Sequence, residues 1–293
     1  MAQRAIHRRP RAGTLAAVAT RWRDVTGQLW TATRDHLRGK DLALHAAGVT
    51  FYAAIAMVPM LLVAGWMATL LAGTDQVIAF ARSLEQALPA TLGAGRVASA
   101  VVGQATEIGP LGAMLALLPA TLYGEGLRRT YASLSGLPDT VGRRGRLAVL
   151  PVLVVAPLLL LAVLGITPLL ADLFQSGPGP TAVGIYLALT VDWLALSVPL
   201  SWSFRVVAAD PPPWRAAIIG GFVTGAFVSG FLQGFVLFLS LPLDLGAPFG
   251  GLTEVGAVTA VLLWLWWLHV VVLVGYVTTR QAVALRLTPI RRH

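Results

Sequence analysis

The chain has 293 residues, of which 56% are hydrophobic and only 12% charged, and it carries a formal net charge of +9 with no cysteine. A soluble domain holds roughly 25% charged residues and could not cover so much apolar surface. Disordered chains, secreted disulfide scaffolds and ordinary soluble enzymes are therefore excluded, and a polytopic membrane protein remains. The lack of cysteine removes disulfides, thiolate metal sites and cysteine nucleophiles.

Residues 1–40 form an arginine-rich segment expected on the cytoplasmic side. Within it, 15–38 places Trp22, Val25, Leu29 and Leu37 on roughly one helical face, with Arg21, Arg23, Arg34 and Arg38 largely elsewhere. This pattern predicts a helix lying on the membrane surface, with docking against the bundle as the alternative. The apolar run at 15–19 is shorter than the roughly 7–15 residues of a cleavable signal.

A membrane domain is expected over 41–285. A bilayer core needs about 20 apolar residues in a helix. Six stretches qualify, at about 45–71, 108–127, 147–171, 181–206, 215–241 and 256–279, and the second is the weakest, being interrupted by Pro119. Between the first two, Val77, Phe80, Ala81, Leu84 and Leu88 recur at helical spacing, which predicts an amphipathic elbow helix over 75–88 ended at Pro89. A short tail, 286–293, closes the chain. The predicted class is thus an all-α integral membrane protein with six transmembrane helices and interfacial amphipathic helices.

Charge placement orients this bundle. With six spans, twenty of the 22 basic residues fall before the first span, in the second-to-third and fourth-to-fifth connections, and in the tail. Only Arg82 and Arg96 fall on the opposite side. Positive loops stay inside, so both termini are expected in the cytoplasm. The same rule accounts for the basic N-terminus without nucleic acid, and anionic lipid at the cytoplasmic face is the expected partner.

Several motifs carry a family resemblance. Asp41 opens DLALHAAGVTFYAAIAMVPMLL, with Phe51-Tyr52 and then Pro59 before leucines. Leu88-Pro89 follows in the elbow. PPPWRAAIIGG at 211–221 leads through Trp214-Arg215 into the fifth span, and FGGLTEVGAVTAVLLWLWWLHVVVLVG at 249–275 ends on Gly275. In order and spacing the chain resembles the YihY/BrkB family of bacterial inner-membrane proteins over about 35–285. It departs at Tyr276-Val277, where the family often has an acid after the late glycine, and at 130–136 (TYASLSG), which lacks the family's asparagine. The resemblance implies a six-span, multi-pass inner-membrane protein linked to envelope integrity, virulence or lipid trafficking. It also brings an old description as a tRNA-processing ribonuclease BN.

The residues do not support that ribonuclease. Phosphodiester hydrolysis needs clustered acids and histidines to hold metals. His7, His36, His45, His269 and His293 show no metal-ligand spacing, and the acids are scattered. No metal, cofactor or enzymatic activity is expected.

Ionisable groups at membrane depth are costly, at about 2.5–3.5 kcal/mol on insertion scales, and tend to be functional. Asp192 and His269 both fall near the middle of their spans. Their equal depth permits a contact, and together with Gln233 they form the candidate intramembrane polar site. Inter-helix hydrogen bonding is the plainer reading. Glu125 with Arg128 and Arg129 reads as a helical salt bridge. In the fifth span, Gly221, Gly225 and Ser229 form one small-residue stripe, and Ala226, Gly230 and Gly234 a second. Such stripes serve close packing within the chain, a dimer seam, or a groove for a lipid chain.

No glycine-rich phosphate loop is present, so transport would run on a gradient, a partner or nothing. The expected function is an envelope-associated, transporter-like protein handling a lipid or other amphiphile. The alternative is a scaffold or envelope assembly factor, and a homo-oligomer or an envelope protein partner stays open.

Overall fold

The computed structural model describes residues 12–87, 94–138, 143–152, Val155, 177–239, Leu241 and 243–286. Among these the chain is all helical, with no strand. In order come α1 (Ala12–Leu37), α2 (Leu42–Ala72), α3 (Thr74–Ala87), α4 (Ala94–Glu107) and α5 (Gly109–Leu134). Then follow α6, helical over 144–152, α7 (Pro178–Trp202), α8 (Trp214–Leu239) and α9 (Thr253–Ala284). A π-helical turn, Ser203–Val207, extends α7.

Four of these helical stretches are long and apolar enough to cross a membrane: Leu42–Ala72, Gly179–Val207, Trp214–Phe235 and Thr253–Ala284. They correspond to the expected first, fourth, fifth and sixth spans. α5 covers the expected second span and runs through Pro119 without a break, but its polar C-terminal half keeps it out of that set. It carries Glu125, Arg128 and Arg129. The third expected span, 147–171, lies mostly outside the described residues, as do Leu88 and Pro89. The elbow helix is α3, with Val77, Phe80 and Ala81 buried. α4 lies where the sequence predicts only a connection between the first two spans.

Local chemistry sets the ends of α2. The Asp41 side chain accepts the Leu44 N–H at 2.9 Å, which satisfies an orphan donor of the first turn. Gly73 ends the helix at φ 89°, a conformation that costs glycine little. α2 packs on α5, α4 and α9, while α7, α8 and α9 pack in series. The core gathers Ala46, Val49, Tyr131, Leu134, Phe204, Leu273 and Tyr276. Tyr131 and Tyr276 pack with ring centroids 4.2 Å apart and planes tilted by 33°.

The helices meet closely where one side is glycine. A Cβ on Gly275 would strike the Thr224 side chain, and one on Gly220 would strike Thr279. The α8–α9 contact is therefore reciprocal, a glycine facing a threonine from each helix. On the next face of α8, Gly221 and Gly225 meet Ser201 and Ser197 of α7. The first small-residue stripe thus packs α8 on α7 within the chain. The second differs: a Cβ on Gly230 would meet nothing, and Gly234 approaches only Trp264, at 3.6 Å.

α1 rests on the bundle through its C-terminal half. Thr33, 2% exposed, lies 3.4 Å from the Thr278 hydroxyl of α9. Of the apolar face expected on the membrane surface, Val25, Leu29 and Leu37 are half-buried, as the docked alternative requires. The side chain of Trp22 lies outside the described residues.

Candidate functional site

His269 sits where α2, α5 and α9 converge, and it is 3% exposed. Its Nδ1 is 3.1 Å from the Thr50 hydroxyl and its Nε2 3.2 Å from the Tyr123 hydroxyl. A neutral imidazole offers one donor and one acceptor, and a hydroxyl serves either role. Both ring nitrogens are therefore satisfied without a charge. Thr50 and Tyr123 were not singled out in the sequence. The available signal is a hydroxyl within an apolar stretch, Thr50 near the start of the first and Tyr123 near the end of the second, and nothing in the chain order joins 50, 123 and 269.

Asp192 lies apart from His269. Its Oδ2 accepts from Gln233 Nε2 at 2.9 Å, which ties α7 to α8. The polar residues expected together thus divide into a buried trio, Thr50–Tyr123–His269, and a separate couple, Asp192–Gln233. The physical reason is helix order: α8 stands between α7 and α9.

Glu125 pairs with Arg129 at 3.2 Å, and Arg128 instead donates to the Val207 carbonyl at 3.2 Å. Glycines again permit the approach, because a Cβ on Gly124 would collide with the Gly145 carbonyl and Val149. Of the motif residues, Tyr52 packs its ring against Gly126, while Phe51 is largely exposed. Pro59 lies inside α2. Arg205 stacks over Trp214 with its guanidinium carbon 5.5 Å from the ring centroid. Arg215 is exposed.

The C-terminal end of α5 gathers polar contacts from three other segments. His45 donates from Nδ1 to the Asp41 carbonyl at 2.6 Å, because a carbonyl can only accept. That leaves Nε2 to accept from Ser133 at 2.8 Å. Tyr276 shares a hydrogen bond with Ser135 at 3.2 Å and donates to the Asp210 carbonyl at 2.9 Å. Arg280 pairs with Asp210. Lys40 donates to the Leu134 carbonyl and lies 2.9 Å from His36 Nε2.

Burial first, and the nearby Arg280 guanidinium second, push the Lys40 amine below its ordinary value. Between the lowered folded value and the unfolded one the unfolded chain binds more protons, so this group's contribution to stability rises with pH through that window. Lys40 is the sole lysine in the chain. Its ¹³C-dimethylated side chain is therefore expected to titrate in NMR below a free lysine, and Arg280→Gln to return it only part of the way. A free-lysine titration curve in the folded protein would contradict the burial.

A well-formed recess lies on the outer face of α8 and α9. It has a volume of about 440 Å³, within the roughly 300–1,000 Å³ of ordinary ligand sites. Ile219, Val223, Phe227 and Phe231 of α8 form one wall, and Trp267, Val270, Val271 and Val274 of α9 the other. Leu29 and Trp30 of α1 lie at one end. The lining is almost wholly apolar, and neither Asp192 nor His269 belongs to it. Of the four glycines named as a groove, none of Gly221, Gly225, Gly230 and Gly234 lines this recess; Gly220 and Gly275 form its floor. The offset of one residue moves the floor from the α7 side of α8 to its α9 side.

The family model described as virulence factor BrkB matches residues 33–291. Among curated proteins and among solved structures no match to the chain is found. A match over nearly the whole chain, joined to apolar helices of spanning length, means that this chain belongs to the YihY/BrkB family and is a helical membrane protein.

Proposed function

We propose that this is a six-span protein of the bacterial inner membrane, with both ends in the cytoplasm, that binds and handles a lipid or other amphiphile. The six-span count draws support from α5. Leu111, Met114, Leu115 and Leu118 are exposed on it at helical spacing, an apolar stripe suited to lipid rather than water. The basic residues of the connections favour the orientation.

The α8–α9 recess carries the functional reading. It is long and apolar, and its lining residues Val223, Phe227 and Trp267 are exposed, so a chain can enter from the bilayer without crossing a polar barrier. The role is one of binding and transport rather than catalysis. Reconstituted protein is expected to crosslink a phospholipid bearing an acyl-chain diazirine at peptides of α8 and α9. Val223→Trp, at an exposed lining position, is expected to lower that labelling severalfold with the fold intact. Equal labelling in both proteins would remove the recess from the function and leave the scaffold reading. In the proposed transport cycle Asp192 and His269 respond to protons or substrate, so Asp192→Asn and His269→Ala should slow lipid movement in vesicles. Unchanged movement in both would take them out of the mechanism.

A further inference from the structure

We infer that the α8–α9 recess selects an anionic glycerophospholipid of the cytoplasmic leaflet, its tail between the helices and its headgroup on Arg215 and Arg34. This deepens the proposed function and rests on it. From Ala216 to Phe231 the α8 wall rises by 15 residue steps, or roughly 22 Å at the helical rise. That length passes through a leaflet of about 15 Å, half the bilayer core.

The two ends of the recess differ in chemistry. The deep end is lined by Phe231 and Trp267 and has no charge. At the other end Trp30 is 64% exposed, and an exposed tryptophan beside apolar walls sits at headgroup level. Arg34 lies one turn after Trp30 on α1, and Arg215 one turn before Ile219 on α8, each on the face of its lining neighbour. Both are exposed. Neither has an ion pair among the described residues, whereas Arg38, Arg129 and Arg280 are matched by Asp35, Glu125 and Asp210. Two free guanidiniums at headgroup depth above an apolar slot complement one anionic head over acyl chains.

The test uses the full chain in nanodiscs and two probes with the same diazirine acyl chain, phosphatidylglycerol and phosphatidylcholine. Labelling of α8 and α9 peptides is expected to favour phosphatidylglycerol by at least about fivefold, the factor each of the two basic residues contributes near an anionic group. Arg215→Gln with Arg34→Gln should bring the ratio towards one while phosphatidylcholine labelling stays as in the parent, and Arg215→Lys should keep most of the preference. Soluble glycerol phosphate should not compete. If the double variant keeps the full preference, or glycerol phosphate competes, the headgroup site is wrong and the apolar recess stands. If neither lipid labels α8 or α9 in the parent protein, both readings fall.

Discussion

Gly275→Leu and Gly220→Leu are each expected to lower the stability of the purified protein by about 1–3 kcal/mol or more, the range for overpacking a filled contact. The cause is the reciprocal glycine–threonine contact between α8 and α9. A Cβ on Gly275 already strikes the side chain of Thr224, and one on Gly220 that of Thr279, before the rest of a leucine is added. Threonine is β-branched and cannot swing aside freely, so the helices must part. Gly230→Leu is the control: it lies on the same helix, where a Cβ meets nothing, and a cost under about 0.5 kcal/mol is expected for a surface change away from any contact. Thermal unfolding in detergent, followed by tryptophan fluorescence, reads all three. Equal losses in the three variants would mean that α8 does not approach α9 as described.

His269→Ala is expected to cost about 2–4 kcal/mol, adding a cavity to the loss of two hydrogen bonds. The ring joins α2, α5 and α9 at one point, and its removal strands the Thr50 and Tyr123 hydroxyls in an apolar interior. Tyr123→Phe and Thr50→Val each remove one partner, and smaller losses near 0.6 kcal/mol are expected, the mean measured for hydrogen bonds between membrane helices. Asp192→Asn should cost little, because the amide can still bond Gln233. Chemical unfolding in mixed micelles separates these values. A loss for Asp192→Asn equal to that for His269→Ala would contradict the division into a buried trio and a separate couple.

The composition and the apolar runs determined the class. Stretches around 45–71, 181–206, 215–241 and 256–279 leave the chain no soluble solution, and each corresponds to a helix of spanning length. The elbow helix was legible for the same kind of reason. Its apolar residues recur at the helical period, and a local pattern needs no knowledge of the partner. α4 carries the same kind of pattern, with Val97, Val101 and Ala105 one turn apart, but it falls where a connection between spans is expected. α5 outran its expected end because an apolar window stops at the first charges, whereas the backbone continues while those charges find partners. Glu125 pairs with Arg129, and Arg128 reaches the Val207 carbonyl.

The tertiary structure alone decided which polar groups meet. Depth can be counted along a sequence, so Asp192 and His269 were both read as central, but azimuth and neighbour order cannot. α8 separates the two helices, and His269 turns instead to hydroxyls from residues 50 and 123. Likewise the small residues of α8 were visible in the sequence as stripes, but only the packed helices assign Gly221 and Gly225 to α7 and Gly220 to α9. A helix turns about 100° per residue, so a shift of one position changes the partner, and the identity of that partner is set by the fold rather than by the local pattern.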